Sequence, residues 1–218
     1  MRFFINTIDI EEITTLNRTG MLDGINTNPS ILAKSKTPIK EVLKEISKIV
    51  MGPIAVEVTA PDFQGMMKEA DALRKISRNI LVKVPLSMDG LRVCKTLSSD
   101  GTLVAVTLCF DCTQAILAAK AGAKYVCPFI GRLEEQGGSG LELLKNIADI
   151  YNQYAEFDTQ IMAASVHSKK HIVEIARQGA NAVTLAPDLL LNLYENPLTA
   201  QGIEAFKADW EKTGQSLL

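Results

Sequence analysis

Short apolar runs alternate with longer amphipathic stretches from one end of the chain to the other. The runs lie at 2–6 (RFFIN), 24–26 (GIN), 53–58 (PIAVEV), 80–84 (ILVKV), 103–107 (LVAVT), 124–129 (KYVCPF), 159–164 (TQIMAA) and 181–185 (NAVTL). Most are apolar at odd and even positions alike, the pattern of parallel strands covered on both faces. Between them, apolar residues return every three or four positions. That period predicts helices over 10–20, 38–50, 61–77, 89–99, 112–122, 139–155, 169–179 and 187–194, with a tail helix over 203–214. Asp9 and Glu12 fit a capping box on the first helix, and Gly20 closes it.

Eight strands alternating with helices, without a linker or a composition break, predict one domain over residues 1–218. The expected fold is α/β, a single-domain (β/α)8 TIM barrel with a C-terminal helical extension. A doubly wound open sheet is the runner-up. It wants a glycine-rich phosphate loop after the first strand, and NTIDIEE has none.

Composition narrows the function classes. At 47% hydrophobic and 22% charged residues the chain reads as an ordinary globular protein. A net charge of -2 gives no general attraction for nucleic acid or an acidic membrane, so a bound anion needs a local cluster of donors. The N-terminal MRFFINTIDIEE turns acidic at once, unlike a signal peptide, and no apolar run approaches a membrane span. Cys94, Cys109, Cys112 and Cys127 are too few for a disulfide framework and read as reduced thiols in a cytoplasmic protein. Cys109 and Cys112 form a CxxC with no second pair beside it, and Cys109 sits in an apolar strand, so a structural role is expected.

In a barrel, chemistry sits where strands end and loops open. The polar residues at those ends are Asn6 and Thr7, Asn26 to Asn28, Glu57, Lys83, Thr107, Arg132 after Phe129, and Ser165 with His167. Lys83 is out of place in ILVKVP, and an amine in apolar surroundings favours its neutral form. A neutral amine attacks a carbonyl carbon to give a carbinolamine and then an iminium, which draws electrons from the adjacent carbon–carbon bond. Glu57, one strand away, suits a proton shuttle through water, and Thr107 suits holding that water. Taken singly, a strand glutamate and a strand threonine are unremarkable. His167 and His171 have HxxxH spacing but no further ligand pattern, so no metal site is expected. The glycines at 137, 138 and 140 suit a phosphate cradle or a plain connector equally.

The stretches DGINTNPSIL, LVKVP, AILAAKAGAKYV, CPFIGR, AASVH and PLTAQGIEAFKADWEK, in this order, resemble the small transaldolase and fructose-6-phosphate aldolase family over essentially the whole chain. The resemblance implies a class I aldolase-type barrel without metal or organic cofactor. It also implies a homo-oligomer, pentamer or decamer, whose C-terminal helix reaches a neighbour. By position, Lys83 matches the Schiff-base lysine, and Glu57 with Thr107 the pair that holds the catalytic water. Thr27 and Asn28 match groups that bind donor hydroxyls; Arg132 and Ser165 match phosphate-binding positions. Transaldolases tend to carry Glu and Phe where the aldolases carry Gln and Tyr, and this chain has Glu57 and Phe129.

The implied activity is transfer of dihydroxyacetone from fructose 6-phosphate or sedoheptulose 7-phosphate to an aldose phosphate, a step of the pentose phosphate pathway. Three positions depart from the family pattern. Asn6 replaces an aspartate that accepts the proton of the sugar's C4 hydroxyl, Ala105 replaces an asparagine, and His167 replaces a phosphate-binding arginine or lysine. An amide is no useful base. The departures keep two alternatives open, aldol cleavage without transfer and a sugar-phosphate-binding protein with impaired catalysis.

Overall fold

The computed structural model describes residues 1–217. Its parallel strands are β1 (Arg2–Ile5), β2 (Gly24–Asn26), β3 (Ile54–Glu57), β4 (Ile80–Pro85), β5 (Val104–Cys109), β6 (Tyr125–Pro128), β7 (Gln160–Ala163) and β8 (Ala182–Leu185). They pair in sequence order, and β8 pairs back onto β1 to close the barrel. The expected (β/α)8 architecture is therefore present.

The helices are α1 (Ile10–Arg18), α2 (Pro29–Leu32), α3 (Ile39–Ile49), α4 (Phe63–Arg74), α5 (Met88–Ser99), α6 (Cys112–Lys120), α7 (Ile130–Glu135), α8 (Gly140–Tyr151), α9 (Lys169–Arg177), α10 (Pro187–Asn192) and α11 (Pro197–Lys212). The short α2 and α7 escape the sequence pattern, because one or two turns are too brief for a periodic stripe. The tail helix begins earlier than expected, at Pro197, where Asn196 caps it. Side chains of Asp62, Ser87, Asp111, Ser139 and Ser168 likewise accept a backbone N–H at the starts of α4, α5, α6, α8 and α9. At α1, Asp9 caps as expected but the reciprocal half of the box is absent. Glu12 accepts the Thr7 hydroxyl at 2.7 Å instead.

Two apolar clusters hold the fold. The larger lies between barrel and helices. The smaller fills the barrel itself, with bulky Phe4, Leu81, Tyr125 and Met162 set among small Ala55, Ala105 and Ala182. Large beside small is what closes the interior without voids. Phe4 meets Tyr125 edge-on at 5.9 Å, and the ring of Phe4 occupies the space a Cβ on Gly24 would claim. Each fully buried side chain of this kind contributes roughly 1.5–3 kcal/mol. Below it, Arg2 Nη1 donates to the Tyr125 hydroxyl at 2.5 Å, so the phenol of the buried ring is satisfied.

Candidate active site

Alternation along a strand places every second side chain on the same face. Two residues beyond the apolar interior layer, the inward positions include Asn6, Glu57, Lys83, Thr107 and Thr184, with apolar Cys127 and Ala164 completing the ring. The change to mostly polar side chains occurs at the C-terminal ends of the strands. A cavity of about 190 Å³ opens there, lined among others by Asn6, Asn26, Lys83, Thr107, Phe129 and Ser165. A larger cleft of about 480 Å³ lies beside Tyr151, Gln160 and Arg177 at the other end of the barrel and contains none of these groups.

Lys83 is 2% exposed. Its stem runs among valines, but its ammonium does not meet the apolar surroundings that the sequence suggests. Nζ donates to the Thr27 carbonyl at 2.7 Å and to Asn26 Oδ1 at 3.2 Å, and lies 3.3 Å from Glu57 Oε2. Glu57 and Lys83 are register partners on β3 and β4, which is why the pair meets. The Glu57 side chain is 12% exposed, so the pair sits in a largely desolvated layer where Coulomb attraction is strong.

Thr27 serves this site through its backbone. Its hydroxyl donates to the Ala55 carbonyl at 2.8 Å and its side chain is outside the cavity wall. Asn28 lines the cavity, but its Oδ1 caps α2 through the Ile31 N–H, leaving the amide NH2 to face a ligand. Asn6 is held in a chain of amides. Its Oδ1 accepts from Asn26 Nδ2 at 2.8 Å, and its own Nδ2 lies 3.5 Å from Thr184 Oγ1. The chain runs from the ammonium of Lys83 through Asn26 and Asn6 to Thr184. Ala105 is fully buried in the apolar layer, in register with Lys83, and continues the hydrophobic floor.

Thr107 is fully buried and its Oγ1 has no hydrogen-bond partner. An orphaned hydroxyl costs about 1–3 kcal/mol, so one facing a cavity is suited to a ligand or water. Directly after it, a register shift between Thr107 and Cys109 carries Leu108 at φ 61°, a left-handed conformation for a bulky residue. Cys127 closes the wall. Burial pushes its thiol up to about 12, opposed by nearby Lys83 and reinforced by Glu57, so it is a neutral group at the cavity.

At the outer rim, Ser165 is also left-handed, at φ 63°. Its Oγ lies 3.3 Å from His167 Nε2, which in turn is 3.6 Å from Glu135 Oε1. Helix α7 crosses this turn through Gly131, where a Cβ would fall 2.0 Å from the Ser165 carbonyl and 2.5 Å from His167 Nε2. The glycine lets α7 sit close enough to bring exposed Arg132 over the Phe129 ring at 5.4 Å. Arg132, Ser165 and His167 thus gather at one edge of the mouth. His171 is buried on α9 with Nε2 3.5 Å from Glu134 Oε1, apart from His167. Among the described residues no three His, Cys, Asp or Glu side chains converge. The glycine segment is a connector, with Gly137 at φ 82° ending α7 and Ser139 capping α8.

The sequence places Asn26 among the polar strand ends without a role of its own, and Thr184 is passed over as a site member. Both are polar residues in otherwise apolar runs. A two-residue count from the interior layer finds Thr184 at the level of Lys83, but Asn26 on the short β2 needs the register.

The chain matches the family model described as transaldolase/fructose-6-phosphate aldolase over residues 3–217. A probable transaldolase of Chelativorans sp. is 54% identical over 217 residues, covering 100% of both chains. One of Novosphingobium aromaticivorans is 49% identical, again over 100% of each. A solved cube-shaped, porous protein cage designed by fusing symmetric oligomeric domains shares the fold alone, with 12% identity, 98% of this chain and 78% of that chain covered, and a TM-score of 0.65.

Proposed function

Because the chain belongs to the transaldolase/fructose-6-phosphate aldolase family, we propose that it is a transaldolase working through a Schiff base on Lys83. The observation that carries this reading is the buried Lys83 ammonium, 3.3 Å from Glu57 and facing the cavity beside the unpartnered Thr107 hydroxyl. Glu57 takes the proton that makes the amine nucleophilic, and returns it when the carbinolamine loses water. The resulting iminium withdraws electrons from the bond between C3 and C4 of a ketose phosphate. Cleavage leaves a dihydroxyacetone enamine on the lysine, ready for an aldose phosphate acceptor.

Transfer is favoured over simple cleavage by Phe129. It lines the cavity between Phe110 and Arg132 and offers no hydroxyl to activate a hydrolytic water. The sugar phosphate enters with its phosphate toward Arg132, Ser165 and His167 and its hydroxyls toward Asn6 and the Asn28 amide. Borohydride reduction in the presence of fructose 6-phosphate, followed by peptide mass mapping, is expected to place the adduct on Lys83. No adduct at that residue overturns the mechanism.

The protein acts as a homo-oligomer of the pentamer or decamer kind. Helix α11 buries none of its residues, yet Ile203, Phe206 and Trp210 form one apolar stripe at helical spacing. Phe206 is 78% exposed in the single chain. A stripe of this size on a solvent face is suited to the surface of a second copy.

A further inference from the structure

The chain has two histidines, and each faces one of the two consecutive glutamates at the end of α7. His167 meets Glu135 at the exposed rim. His171 meets Glu134 in a much drier place, with its side chain only 10% exposed and Nε2 3.5 Å from Glu134 Oε1. That nitrogen is buried and has no hydrogen-bond partner, and the distance suits an ion pair better than a short hydrogen bond. Either the Nε2–H tautomer or the imidazolium directs a proton toward the carboxylate. The imidazole itself is held on the capped first turn of α9, where the His171 N–H donates to Ser168 Oγ at 3.1 Å. A Cβ on Gly140 would fall 2.9 Å from the same Glu134 oxygen, so the carboxylate lies against the first turn of α8. The positive end of that helix dipole favours it there. Glu134 therefore ties α7 to α8 and α9 at once.

The consequence falls on Arg132, two residues before Glu134 on the same short helix. A glutamate three positions along a helix, as Glu135 is, can capture a guanidinium. A captured guanidinium offers less to an incoming phosphate, and an unheld carboxylate beside it repels one. Here Glu135 turns to His167 and Glu134 to His171. Among the described residues Arg132 forms no ion pair, and its guanidinium lies over the Phe129 ring at the cavity wall.

We infer that His171, acting through Glu134, is a positioning residue for Arg132. The pair fixes α7 against α8 and α9 and keeps the guanidinium free for the phosphate of the sugar. This rests on the proposed reading that the phosphate enters toward Arg132. Neither His171 nor Glu134 lines the cavity, so the pair acts on phosphate affinity and leaves the chemistry at Lys83 alone.

Phosphate binding and Schiff-base chemistry can be read separately. Competitive inhibition by inorganic phosphate against fructose 6-phosphate reads the first. Borohydride-trapped adduct with dihydroxyacetone, which carries no phosphate, reads the second and reports a folded site. His171→Leu is expected to weaken inorganic phosphate and raise the KM for fructose 6-phosphate by about tenfold each, the worth of one interaction with a charged group. The kcat and the rate of dihydroxyacetone adduct formation are expected to stay unchanged. His171→Gln, whose amide still donates, is expected to recover most of the phosphate affinity. Glu134→Ala is expected to repeat the loss, and the double variant His171→Leu/Glu134→Ala to bind phosphate no more weakly than either single one. Unchanged phosphate affinity in His171→Leu and Glu134→Ala, while Arg132→Ala weakens it, overturns the inference and leaves the phosphate reading standing. An equal loss of phosphate affinity and of dihydroxyacetone adduct also overturns it, since that marks a merely structural pair. Unchanged phosphate affinity in Arg132→Ala overturns both the inference and the reading it rests on.

Discussion

Lys83 and Glu57 are register partners on adjacent parallel strands, with Nζ and Oε2 3.3 Å apart in a layer that water scarcely reaches. The pair meets because both strands direct every second side chain inward and both change from apolar to charged at the same level. Its burial also makes it a structural liability.

Replacing Lys83 with methionine removes the nucleophile and strands a largely buried carboxylate. Turnover is expected to vanish, and urea unfolding is expected to show a loss of roughly 3–5 kcal/mol. Adding Glu57→Gln to Lys83→Met is expected to recover much of that stability. If the double variant is no more stable than the single one, the pair does not carry the cost assigned to it.

Thr107 sets activity against stability. Thr107→Val keeps the shape and removes an orphaned hydroxyl, so stability is expected to rise by about 1 kcal/mol while kcat falls by about 10²-fold. Thr107→Ser is expected to keep most of the activity. Denaturant melts alongside a coupled transaldolase assay check both halves, and a fall in stability for the valine variant counts against an unpartnered hydroxyl.

Phe129→Tyr introduces the phenol that the transfer reading lacks. Free dihydroxyacetone measured without an acceptor aldehyde is expected to increase by about tenfold. An unchanged ratio of transfer to release would remove Phe129 from the determinants of outcome.

Helix α11 is expected to behave as an interface. Phe206→Glu, with a charge in the centre of the Ile203–Phe206–Trp210 stripe, is expected to shift sedimentation toward smaller assemblies with the circular dichroism of the barrel retained. Sedimentation identical to the unchanged protein argues that the stripe is not the contact.

Burial holds the thiols of Cys94, Cys109 and Cys127 up to about 12, against 9.0 for a free thiol. A raised value favours the neutral form in the folded chain, so this contribution to stability is complete below about 9 and is lost as pH rises toward about 12. Iodoacetamide at pH 8 is expected to label Cys112, which is only half-buried, well before the other three. Rapid labelling of Cys127 in the folded protein would contradict its enclosure.

Much of this molecule is legible in its residues. Runs such as PIAVEV and ILVKVP, apolar on both parities and separated by periodic stretches, leave parallel strands covered on both faces as the economical solution. The same runs single out Glu57 and Lys83, because charge inside such a strand has to face something. What a linear reading leaves open is partnership. The sequence placed Lys83 in apolar surroundings, whereas closure of the barrel brings it the Thr27 carbonyl, Asn26 and Glu57 from two other strands. It offered Thr27 and Asn28 as equivalent ligand groups. Parity turns the hydroxyl of Thr27 onto β3, and a helix cap consumes the Asn28 carbonyl. The substitution at Asn6 was visible at once, but its consequence depends on the amide chain to Asn26 and Thr184, which joins residues up to 178 positions apart. Residue type and spacing fix which faces must be buried. Which polar group completes another is settled only when register and closure bring distant strand ends to one level.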